Sequence, residues 1–159
     1  MAVDVKSVTN RRRVRFNNMQ DMLNDMDQLA SGPVRTLGNR SFVEILRHLA
    51  RVMNGSIDYD ASKIRFPLHI RILARLFRKR IFATRLPAGR TLRPEEDAVV
   101  WPAGGDVMSA IEEVRKAVRR LETESKRGAH PAFGKLSVEE WNQFHLRHAE
   151  LHLSFVTPA

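Results

Sequence analysis

Cysteine is absent from this chain. Disulfides and thiolate metal ligands are thereby excluded, and the absence agrees with a reducing compartment. Aromatic residues are scarce at 7%, with a single tyrosine. No nucleic-acid-binding motif is present, so nucleic acid is a disfavoured partner. No apolar run approaches the roughly 20 residues of a membrane-spanning helix. No segment alternates apolar and polar residues strictly enough to predict a strand. A nucleophile elbow and a Ser-His-Asp arrangement are both missing. "PAGG" at 102–105 falls short of a phosphate-binding loop.

Carboxylates are also in short supply. Asp and Glu number 18 against 27 Lys and Arg, which leaves a net charge of +9. Such a balance suits an anionic partner: nucleic acid, a membrane surface or an acidic small molecule. The basic residues cluster at 11–15 ("RRRVR"), 71–80 ("RILARLFRKR") and 115–120 ("RKAVRR"), spread along the chain. "NRRRVRF" has the look of a twin-arginine signal, but the polar "NNMQDMLND" follows it in place of an apolar segment. The expected location is cytoplasmic. The 159 residues, 43% of them hydrophobic, predict one domain, 1–159, around one core.

The apolar spacing is helical. Phe16 to Ala30 sets Met19, Met22, Leu23, Met26 and Leu29 on one stripe, and Gly32, Pro33 and Gly38 then break it. Ser41 with Glu44 forms a capping box for a second helix, expected to run to about Asn54 and end at Gly55. Residues 57–66 read as a loop. Pro67 to about Arg80 is a third helix with Arg71, Arg75 and Arg78 on a basic face and Ile70, Leu73 and Phe77 directed to the core. A long loop, 84–105, follows, with room for one helical turn at 94–98. Loops of that length are often functional or covering elements. Asp106 caps a helix expected to reach Lys126, and Ser137 with Glu140 caps the last one. Helices joined by loops in this way imply an all-α fold, an antiparallel bundle.

The last helix contains "HLRHAELH", three of the six histidines within eight residues. At 100° per residue, His145, His148, His152 and Trp141 fall within an arc of about 60°. Phe144, Leu151 and Phe155 flank that arc, whereas Arg147 and Glu150 point away. The histidines therefore share the face that must be buried. Buried imidazoles need partners, and a divalent metal is one of them. His148 with His152 at i, i+4, or His145 with His148 at i, i+3, can reach one ion. Among the other helices His48 is the best further ligand, its bland alternative being a hydrogen bond to Glu44. His69 sits in the basic helix, a poor place for a cation. His130 in "AHPAFG" suits a structural hydrogen bond. Two imidazoles from the last helix and one from the second would leave coordination positions open, as a catalytic site requires. Trp141 reads as a core residue.

"EILRHLARVMNGSID" and "HPAFGKLSVEEWNQFHLRHAELHLSF" together resemble the DinB/YfiT-like superfamily, and more narrowly a bacterial branch of it with no assigned function. "RRRVRF" and "GPVRTLGNRS" are similar to the same branch. The resemblance is strongest over residues 1–58 and 128–156. It implies a four-helix bundle holding a divalent metal, nickel or zinc, on three histidines. By position these are His48, His148 and His152. His145 matches a further histidine of the branch and is the expected catalytic residue, as support for the ligands or as the base. Arg40 departs from the pattern, because an aromatic residue is expected there. Superfamily members include thiol S-transferases, a thiol-dependent isomerase and proteins labelled hydrolases, and such bundles often dimerise. The expected function is a metal-dependent hydrolase or low-molecular-weight-thiol transferase acting on a small molecule. The alternative is a non-catalytic basic helical module, built on Arg71, Arg75, Arg78, Lys79 and Arg80, that binds an anionic partner.

Overall fold

The computed structural model describes residues 2–58, 66–89, 97 and 99–159. Among them lie five long helices: α1 (Met19–Ala30), α2 (Phe42–Asp58), α3 (Leu68–Ala83), α4 (Val107–Thr123) and α5 (Val138–Leu153). Two three-residue strands, β1 (Val34–Thr36) and β2 (Val156–Pro158), complete the order. The fold is mostly helical, as the apolar spacing predicts.

Side-chain caps set most helix starts. Asn18 Oδ1 accepts from Asp21 N at 2.9 Å, Asp106 Oδ1 from Ser109 N at 3.0 Å. The capping boxes of α2 and α5 both form: Glu44 N donates to Ser41 Oγ and Ser41 N to Glu44, with the same exchange between Ser137 and Glu140. The Asn18 cap places the start of α1 at Met19, three residues later than the apolar stripe suggests. Phe16 is unavailable to the helix because α5 binds its backbone: its N–H donates to Glu150 Oε1 at 2.6 Å and its carbonyl accepts from Arg147.

Three further expectations are corrected. Gly55 does not end α2, which continues to Asp58. An interior glycine costs about 1 kcal/mol, and here Ser56 and Ile57 beyond it are buried while Arg120 grips Asn54 and Asp58 at 2.7–3.0 Å. α4 stops at Thr123 rather than Lys126. The chain turns back there so that Arg127 can donate to the Leu121 carbonyl at 2.8 Å, one of the acceptors a helix end leaves free. Lastly, β1 and β2 pair antiparallel, Val34 opposite Pro158 and Thr36 opposite Val156, where nothing beyond a short hairpin was expected. The loop before α2 and the chain's last residues thus form a small ribbon. Of the helical turn expected at 94–98, Asp97 is described and is helical, as are Val99 and Val100; the rest lies outside the described residues.

α2 lies along α4, and both α1 and α2 touch α5. Met22, Met26, Leu46, Leu49, Met53, Ile111, Val114 and Leu153 fill the space between these helices and are fully buried. A second cluster gathers Phe133, Leu136, Trp141 and Phe144 under α3. α3 turns differently from the expectation. Ala74 and Phe82 are its buried residues, and Ile70, Leu73 and Phe77 are exposed. Phe82 stacks edge-on with Phe133 at 5.0 Å, and Arg78 pairs with Glu140 at 3.1 Å. Those contacts set the rotation of the helix.

Candidate metal centre

α2 and α5 bring three imidazoles to one point. His48 projects from α2 next to the buried Ile45 and Leu49. His148 and His152 stand one turn apart on α5. His48 Nε2 lies 3.2 Å from His148 Nε2, which lies 3.0 Å from His152 Nε2. One ligand atom from each of the three falls within 4.8 Å of the others. Imidazole nitrogens about 2.0–2.1 Å from one tetrahedral ion stand about 3.3 Å from each other, so the donor set fits a divalent metal in number and type, and two of its three nitrogen–nitrogen distances match that spacing.

The surroundings orient the rings. His48 Nδ1 donates to the Val100 carbonyl at 2.8 Å, which leaves the Nε2 lone pair directed at the other two imidazoles. Trp101 stacks on His48 with centroids 4.1 Å apart and meets His152 edge-on at 5.2 Å. Phe144 stacks on His148 at 5.4 Å. The Arg40 guanidinium lies over Trp101, 4.9 Å from its ring centroid, and pairs with Asp97 and Glu44. The residue that departs from the expected aromatic position thus engages an aromatic ring from the long loop.

Burial holds the three histidines neutral. It pushes His48 down to about 4, helped by the positive charges of Arg40 and Arg51. His148 and His152 are lowered well below the ordinary histidine value, by burial first and by the neighbouring imidazoles second. Neutral imidazole is the form that binds metal.

The family of proteins of unknown function DUF1569 matches residues 8–159. The chain belongs to that family. No curated protein and no solved structure matches it.

In this DUF1569 chain, the three histidines expected to share a metal are together, and the other three are elsewhere. His145 is buried against α2. Ser56 Oγ spends its proton on the Met53 carbonyl at 2.6 Å, so at 3.1 Å from His145 Nε2 it accepts, and Nε2 carries the hydrogen. Burial drops this imidazole to about 3. Trp141 stacks on it at 5.3 Å and donates Nε1–H to the Gly128 carbonyl at 3.0 Å, the buried role expected of it. His130 Nδ1 accepts from the amides of Ala132 and Phe133 at 3.0 and 3.2 Å. It closes a turn with Gly134, whose φ of +75° suits glycine. His69 is exposed on α3.

Sequence reasoning missed Val100 and Trp101. The one available signal was the length of the loop that carries them. Arg147 and Glu150 do point away from the histidines, yet both are buried, bonded to each other at 2.9 Å under the N-terminal segment. A groove of about 680 Å³ between α2 and α4 is lined by Arg47, Arg51, Asn54 and Lys116, among others, and by none of the three histidines.

Proposed function

We propose that this protein is a metal-dependent enzyme acting on a small molecule, with His48, His148 and His152 holding one divalent ion, nickel or zinc. The convergence of three Nε2 atoms at 3.0 and 3.2 Å carries the proposal. The resemblance to the DinB/YfiT-like superfamily supports it, and so does the reading of α1, α2, α4 and α5 as an antiparallel four-helix bundle with a homodimer as its assembly. Hydrolysis and transfer to a low-molecular-weight thiol are the two reaction classes proposed.

A bound divalent ion would supply a nucleophile at neutral pH by lowering the pKa of a water or a substrate thiol. The chain's residues prepare the place. Val100 fixes the His48 tautomer, while Trp101 and Phe144 wall two of the imidazoles with apolar rings. Three histidines occupy fewer positions than a divalent ion offers, so substrate can enter beside them. Arg40 is already paired with Asp97 and Glu44, so the preference for a substrate bearing carboxylates, as low-molecular-weight thiols do, rests on the chain's net charge of +9. His145, its Nε2–H committed to Ser56, supports the ligands through Phe144, whose ring centroid lies 5.7 Å from its own and which stacks on His148.

The experiment is a turnover screen of the metal-loaded protein with thiols, electrophiles and ester or amide substrates. A product formed by the wild type and not by His152→Ala supports the reading. Loaded protein that turns over nothing across both reaction classes counts against it.

A further inference from the structure

α3 presents an apolar face with nothing described against it. Leu68, Ile72 and Leu76 follow one another at intervals of four and are 68%, 50% and 72% exposed. Leu73 and Phe77 extend the patch to one side at 50% and 53%. On a helix of 100° per residue Ile72, Leu76 and Leu73 fall opposite Ala74 and Phe82, the residues by which α3 is anchored, and Leu68 and Phe77 lie at the two edges of that face. A monomer surface seldom leaves so many contiguous apolar side chains in water.

The charges around the patch are all of one sign. "LHIRILARLFRKRIFA" contains no carboxylate, and Arg71, Arg75, Lys79 and Arg80 are exposed along it. Among the described residues its only ion pair is Arg78 with Glu140, on the anchored side. Arg15 adds a further cation at the C-terminal end, donating to the Ala83 carbonyl at 3.2 Å.

We infer that α3 is a docking helix for an anionic lipid surface. A second copy of the same face would set Lys79 and Arg80 against themselves with no acid on the helix to meet them. Nucleic acid would answer the charge but would leave the Leu68–Ile72–Leu76 row against phosphate. Lipid answers both: the leucines, isoleucine and phenylalanine enter the acyl boundary while the long cationic side chains reach the headgroups. Sixteen helical residues span about 24 Å, and no described helix is long and apolar enough to cross a membrane. α3 therefore lies in the plane of the surface. This inference is independent of the metal centre, which is built on α2 and α5.

The test is co-sedimentation of the full chain with vesicles of phosphatidylcholine, with and without phosphatidylglycerol, over a salt series. Binding to the anionic vesicles alone, weakening as salt rises, is expected. Each cation removed in Arg71→Glu and Lys79→Glu should weaken partitioning about fivefold or more. Leu76→Glu, at a position 72% exposed, should abolish it while leaving the circular dichroism spectrum unchanged. Absence of vesicle binding overturns the inference. So does binding that Leu76→Glu leaves intact, the result expected if duplex DNA or any polyanion is the true partner. A wild-type dimer that Leu76→Glu dissociates would assign the face to a second copy instead.

Discussion

His48 Nε2 and His148 Nε2 lie 3.2 Å apart, although a hundred residues separate them in the chain. Two lone pairs so placed repel unless a proton or a cation stands between them. His152 Nε2, 3.0 Å from His148 Nε2, adds a third. A proton can join one pair of nitrogens at a time, whereas one ion satisfies all three. The first prediction follows directly. His48→Ala and His152→Ala should each lower affinity for zinc or nickel by at least about a hundredfold, read by competition with a chromophoric chelator, because outer partners of a ligand are themselves worth 10- to 100-fold. His69→Ala should match the wild type.

Trp101 covers His48 at 4.1 Å, and its neighbour Val100 holds the His48 Nδ1–H. Trp101→Ala should open that side of the centre to water and disturb the loop carbonyl. Metal release to excess chelator should then accelerate about tenfold, with the helical content unchanged. An unchanged release rate would show that the loop does not guard the centre.

Much of this centre was legible in the sequence. His148 and His152 share a face by helical arithmetic alone, and His48 lies on the buried arc of α2. Val100 and Trp101 were not legible, because a loop has no period from which to read direction. The strands β1 and β2 were hidden for a related reason: three residues are too few to show alternation, and their partners lie at opposite ends of the chain. α3 misled for a third reason. Its Ile70, Leu73 and Phe77 have core spacing, but the pattern cannot tell a core from another apolar medium. What turned the helix was Phe82 against Phe133 and the Arg78–Glu140 pair.

Glu150 and Arg147 clasp the N-terminal segment from inside. Glu150 accepts from Phe16 N at 2.6 Å and from Arg147 at 2.9 Å, and both side chains are buried. Glu150→Ala would strand a buried guanidinium and an amide together. A loss of about 3–5 kcal/mol is expected from chemical denaturation, with Arg147→Met milder than Glu150→Ala. Equal, sub-kilocalorie losses in both would mean that the clasp is solvated.

Acid should destabilise the metal-free protein through its neutral histidines. His145 is lowered from 6.5 to about 3 and His48 to about 4 by burial. Above pH 6.5 each is neutral both folded and unfolded, and its contribution is complete. As pH falls through that value, the unfolded chain takes up protons that the folded one refuses, and stability is lost towards the folded pKa values. The slope is about 1.4 kcal/mol per pH unit for each such histidine. His145→Gln should show a shallower fall in urea midpoint between about pH 6.5 and pH 4 than wild type. A fall of equal steepness in both would place His145 in contact with solvent.

The most direct test of the centre is metal stoichiometry. Wild type and His152→Ala, purified without a metal-affinity tag, would each be incubated with excess zinc or nickel, desalted and analysed by elemental mass spectrometry. About one equivalent per chain in the wild type, and almost none in the variant, is the expected result for a three-histidine site. Equal retention by wild type, His48→Ala and His152→Ala, at any level, would contradict a metal centre at His48, His148 and His152.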